Sequence, residues 1–136
     1  MNTLKIILFF SFIALSTMAD TNVVFQLYTS HNGIKYVYEV SNDLLARQPQ
    51  LEKGNLFPPL APRSAQLKAI KFANENVERR HWITQSINLI PYDDGHNWFY
   101  EVLLSRPLPD NFNGTIIPVK ILILMDGSVA PMRKNT

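Results

Sequence analysis

PRSAQLKAIKFANENV, residues 62–77, carries the clearest helical rhythm in the chain. Pro62 suits a first helical position, where its missing N–H leaves no bond unmade and its fixed φ is already helical. Ala65, Ala69, Phe72, Ala73 and Val77 recur at helical spacing on one face, while Arg63, Gln66, Lys68, Lys71 and Asn74 fall mainly outside it. Three alanines on the apolar face let the helix axis lie close to a sheet. Asn74, Asn76 and the Arg79-Arg80 pair suit a fraying, cation-rich C-terminus, so the helix is expected over 62–78.

Beyond the helix the pattern switches to strands, a three-stranded meander over 82–129. Trp82 to Ile90 alternates Thr84, Ser86 and Asn88 with Ile83, Ile87 and Leu89, Gln85 being the exception. Residues 91–97, PYDDGHN, are a turn by composition. Trp98 to Ser105 sets Trp98, Tyr100, Val102 and Leu104 on one face. After a loop from Arg106 to Gly114, Thr115 to Met125 is apolar on both faces apart from Lys120, which reads as a central or doubly covered strand. Asp126-Gly127 closes it, and Ser128 to Pro131 begins a short polar tail.

Before the helix, Val23–Ser30 and Ile34–Val40 are strand-like and are joined through His31-Asn32-Gly33. Asn-Gly tolerates the positive φ of a tight hairpin turn, so 23–40 reads as a hairpin. Residues 41–60 form a linker broken by Pro49, Gly54, Pro58 and Pro59, with Leu44, Leu51 and Phe57 as its apolar anchors. The order is β-β-α-β-β-β. Hairpin connections and one amphipathic helix imply an α+β, two-layer sandwich: one main helix on an antiparallel sheet of about five strands.

The first nineteen residues read differently. Lys5 makes the start positive, Ile6 to Leu15 is apolar but for Ser11, and Ser16-Thr17-Met18-Ala19 supplies small residues before Asp20. These are the parts of a secretory signal peptide, 1–19, leaving 20–136 as a single exported α+β domain, periplasmic or extracellular. The apolar run is about half the ~20 residues that span a bilayer, so no stable membrane insertion is expected after cleavage. The whole chain has 136 residues, 46% of them hydrophobic and 18% charged, with 13 Lys+Arg against 11 Asp+Glu, which is too apolar and too near neutral for disorder. No Cys is present, which excludes a disulfide framework, a thiol nucleophile and thiolate metal sites. Basic residues cluster only at Arg79-Arg80-His81 and Arg133-Lys134, too short for a nucleic-acid-binding run.

From Pro59 to Val129 the chain resembles a PepSY-type module. The resemblance rests on the Pro-led, alanine-rich helix, the aromatic strand Trp98-Phe99-Tyr100-Glu101-Val102, and the strand closing at Asp126-Gly127. The 23–40 hairpin and the linker lie outside that pattern, and Asp126 meets Gly127 with no residue between them. The overall plan is also similar to that of small uncharacterised bacterial exported proteins. The resemblance implies an extracytoplasmic, non-catalytic module linked to peptidase control or protein interaction.

Candidate chemistry is sparse. Asp93, Asp94 and His96 place two carboxylates and an imidazole in one turn, a weak candidate for a divalent cation and the seat of an alternative reading as a small-ligand or metal-binding protein or hydrolase. The turn alone offers too few oxygens for Ca²⁺, and a polar hairpin turn accounts for the same residues. A Ser–His–Asp triad can be assembled on paper from Ser86 or Ser105, but no nucleophile elbow supports it. Glu101 with Asp93 or Asp94 has no better claim as a glycosidase pair. No motif calls for a cofactor. Tyr92 and Phe99 are the candidate partner contacts, because alternation that sends Trp98 and Tyr100 inward turns Phe99 outward. Asn113-Gly114-Thr115 is an N-glycosylation pattern, meaningful only in a eukaryotic secretory route. The expectation is a protein- or peptide-binding module, by strand addition at a sheet edge, and not an enzyme.

Overall fold

The computed structural model describes residues 22–135 apart from 53, 56 and 94, so the leader expected at 1–19 lies outside the described residues. Strands β1 (Val23–His31) and β2 (Ile34–Ser41) form the expected antiparallel hairpin. Asn32 at φ 50° and Gly33 at φ 78° both take the left-handed conformation that a two-residue turn of matching twist requires. The Ser41 hydroxyl accepts a hydrogen bond from the Leu44 N–H and so caps a short helix α1 (Asn42–Ala46).

Helix α2 (Pro62–Asn76) begins at the proline and buries Ala65, Ala69 and Ala73 completely. It is followed by β3 (Ile83–Tyr92), β4 (Asn97–Ser105), β5 (Val119–Leu124) and β6 (Met132–Asn135). Gln85, the break in the sequence alternation, sits at a bulge between Thr84 and Ser86, and its amide donates to the Ser105 hydroxyl at 2.6 Å. Among the described residues no helix is long and apolar enough to cross a membrane.

The class is α+β, but the strands do not make one sheet of about five. They form two three-stranded antiparallel sheets, ordered β1-β2-β6 and β3-β4-β5. The hairpin cannot extend the second sheet because the outer edge of β5 is already used. Leu124 N–H donates to Ser128 O, Ala130 N–H donates to Leu122 O, and Lys120 N–H donates to the Thr29 hydroxyl. Residues 132–135, at the end of the expected tail, are strand β6 on β2, with Glu39 N–H donating to Pro131 O just before it. Residues 115–118 are not strand. β4 ends at Ser105 and pairs no further than Leu104 with Val119, and Pro118 has no N–H to give a ladder.

Two apolar clusters result. Under α2 lie Ala65, Ala69, Ala73, Tyr100, Val102, Leu104, Ile121 and Ile123. Between the sheets lie Tyr38, Val40, Leu45, Phe99, Leu122 and Leu124. Phe72 and Val129 pack against both clusters, which joins them. The linker is held by polar ties as much as by apolar ones. The Tyr100 hydroxyl donates to Leu60 O at 2.6 Å, and the Gln48 side chain both donates to Asp126 and accepts from its N–H. Leu44 and Leu51 are half-buried as expected of anchors, whereas Phe57 is 80% exposed and anchors nothing.

Candidate functional site

The β3–β4 turn holds the residues singled out for metal or partner binding. Asp93 takes a positive φ of 54° and its carboxylate accepts from the Asn97 amide at 3.0 Å. Trp98 Nε1–H donates to Gly95 O at 2.7 Å, and Leu51 N–H donates to His96 O. Each of these bonds closes the hairpin or ties the linker to it. Asp94 lies outside the described residues, and among the described residues no three His, Asp or Glu side chains gather where one cation could sit.

Phe99 does not face outward. It is fully buried, with its ring centroid 5.1 Å from Phe25 and 5.9 Å from the half-buried Tyr92. Alternation does turn Phe99 away from Tyr100, but the face it turns to is covered by the β1-β2-β6 sheet. Phe99 is core, and Tyr92 is the rim of that core. Glu101, four ladder steps from the turn, accepts from Asn88 at 3.4 Å.

The opposite end of the molecule gathers more. There the β1–β2 turn, the connection from α2 to β3 and the 106–118 loop converge. His31, last in β1, sets its Nε2 at 2.7 Å from Glu78 Oε2, 47 residues away. Asn32 donates to the same oxygen at 3.4 Å, and Arg80 reaches Oε1 at 3.6 Å. Trp82 Nε1–H donates to Glu78 O, with its ring 5.3 Å from His31 and the Arg80 guanidinium 5.7 Å away. The hydrogen bond to His31, with help from the charge of Arg80, holds the Glu78 carboxyl below its ordinary range. Glu78 is thus the post to which the hairpin tip is tied.

Beside this post lies a hollow of about 320 Å³ bordered by His31, Trp82, Ser105, Arg106, Phe112 and Ile116. A second, of about 480 Å³, opens next to it between Tyr28, Lys35, Ile117 and Lys120. Ser30 and Ile117 border both, so the two form one groove. Of the paper triads, Ser105 shares the first hollow with His31. No hydrogen bond joins it to His31, and its hydroxyl already accepts from Gln85. Ser86 accepts from Asn88 instead. The groove could not be read from the sequence. Its one local signal is the run Leu108, Phe112, Ile116 and Ile117, four large apolar side chains in a loop too rich in Pro and Gly to bury them. Comparison with family models, with curated proteins and with solved structures finds no match to this chain.

Proposed function

We propose that this chain is an exported, non-catalytic module that binds a protein or peptide in the groove between the β1–β2 hairpin and the 106–118 loop. The observation that carries this is where the exposed apolar surface lies. Among the described residues nine large apolar side chains are exposed, and five of them, Tyr28, Leu108, Phe112, Ile116 and Ile117, border the groove. Ile34 and Ile83 are sequence neighbours of two more border residues, Gly33 and Trp82. Scattered exposed leucines need no explanation, but a contiguous patch beside polar groups is the usual mark of an interaction surface. The leader-like residues 1–19 support export. The resemblance of Pro59 to Val129 to a PepSY-type module supports an extracytoplasmic module acting on another protein. Strand β1 is the outer strand of its sheet and supplies Tyr28, Thr29 and Ser30 to one wall, with β5 tied to it through Lys120 and Thr29, so a partner can meet those side chains from the groove.

The test is selection of peptides from a random display library on residues 20–136, followed by affinity measurement on variants. Ile117→Ser with Phe112→Ser removes two exposed side chains and leaves the core alone. The selected peptides should bind this double variant at least about ten-fold more weakly, a loss of about 1.4 kcal/mol. Unchanged affinity there, with loss on Tyr92→Ala, would return the contact to the β3–β4 end and sink the proposal.

A further inference from the structure

The charges around the groove are one-sided. Lys35, Arg106 and Lys120 border the joined hollows together with His31, and among the described residues not one Asp or Glu does. The chain as a whole has 11 acidic residues against 13 basic, so the imbalance does not follow from composition. Two of the described carboxylates near this end are engaged by other side chains. Glu78 faces His31 and Arg80, and Glu39, on the same face as Lys35 but bordering neither hollow, is engaged by Arg133 and by the Gln26 amide. Among the described residues Lys35, Arg106 and Lys120 enter no ion pair. Asp110 lies on the 106–118 loop but borders neither hollow.

Resting on the binding reading above, we infer that the groove takes a short extended peptide in which an apolar side chain is flanked by carboxylates. The apolar anchor meets Phe112, Ile116 and Ile117, and the carboxylates meet Lys35, Arg106 and Lys120. The Ser30 hydroxyl and the Asn135 amide also stand along the walls, suited to the amide groups of a peptide backbone. That polar lining favours a peptide over the acyl chain of an anionic lipid, which needs a dry, enclosed slot. Unpaired cations beside an apolar floor steer an acidic partner in and reject a basic one.

The experiment compares three synthetic pentapeptides by calorimetric titration into residues 20–136: Asp-Leu-Phe-Glu-Asp, its amide counterpart Asn-Leu-Phe-Gln-Asn, and Lys-Leu-Phe-Lys-Lys. Phosphatidylserine vesicles are a fourth arm. The acidic peptide should bind at least about ten-fold tighter than the amide one, and the gap should shrink as salt rises through the range where the Debye length falls below about 10 Å. Lys35→Glu with Arg106→Glu, both at exposed positions, should invert the preference toward the lysine peptide. Equal binding of acidic and amide peptides, lost on Ile117→Ser, overturns the charge inference and leaves the groove reading standing. Binding of none of the three peptides, or binding indifferent to Ile117→Ser, overturns both. Binding of the vesicles alone assigns the cations to a membrane surface and overturns the peptide inference.

Discussion

Tyr38 illustrates how much a single buried atom can matter. Its ring packs in the inter-sheet cluster 6.5 Å from Phe72, and its hydroxyl is buried with no hydrogen-bond partner among the described residues. Burial, and next the neighbouring Tyr36, push its pKa well above that of a free phenol. Removing an unpartnered hydroxyl while keeping the ring leaves only an oxygen-sized gap and relieves the cost of burying an unbonded polar atom. Tyr38→Phe is therefore expected to leave stability unchanged or to raise it by up to about 1 kcal/mol, read as the midpoint of urea unfolding. Phe99→Ala at the same depth should lose about 3–5 kcal/mol, because it opens a cavity between Phe25, Tyr92 and the β5 leucines. If Phe99→Ala were instead neutral, Phe99 would not be the core residue that its burial indicates.

At the scale of elements, α2 depends on the smallness of its buried face. Ala65, Ala69 and Ala73 are each fully buried, so the helix axis sits as near the β3-β4-β5 sheet as methyl side chains allow. Ala69→Leu should cost about 1–3 kcal/mol by overpacking, whereas Leu67→Ala, at a position 52% exposed, should change stability by less than about 0.5 kcal/mol. Thermal melts of the two variants decide this, and an unperturbed Ala69→Leu would mean the helix can stand away from the sheet. Strand β6 depends on context alone. Met132-Arg133-Lys134-Asn135 has no apolar alternation and is exposed over most of its length, yet it closes the outer side of β2. A chain ending at Ala130 should lose the β2–β6 ladder and unfold at lower denaturant. The Arg133–Glu39 pair, more than half exposed at its arginine, should contribute little to that loss.

For the whole molecule, Phe72 and Val129 bridge the two clusters, so the sheets should unfold together; near- and far-ultraviolet dichroism transitions should coincide. Stability should fall with acid. The Asp126 carboxyl loses solvation by burial, but bonds from Ser128 and Gln48 outweigh that and lower its pKa, as His31 does for Glu78. Both groups therefore hold protons less tightly folded than unfolded. Their contribution is complete above the ordinary carboxylate values of 3.8 and 4.5 and is lost as pH falls through the lower folded values. Urea midpoints measured from about pH 6 to about pH 3 should drop, and Asp126→Asn should flatten the curve at its acid end.

Local chemistry alone determined most elements of this protein, strand β6 excepted. The Asn32-Gly33 turn, the Pro62 helix start, the alanine face and the strands either side of residues 93–96 all follow from φ preferences and from periods of two and 3.6, which act between near neighbours. The proposal of export likewise rests on residues 1–19 by themselves. What covers each face, only the tertiary structure decided. Tyr28 and Phe99 occupy similar alternating strands, yet Tyr28 is 60% exposed and Phe99 fully buried, because one sheet lies over Phe99 and no described element covers Tyr28. The groove depends on the same physics. His31 meets Glu78 across 47 residues and Thr29 meets Lys120 across 91, contacts that no period in the sequence encodes because they form only once the sheets have packed.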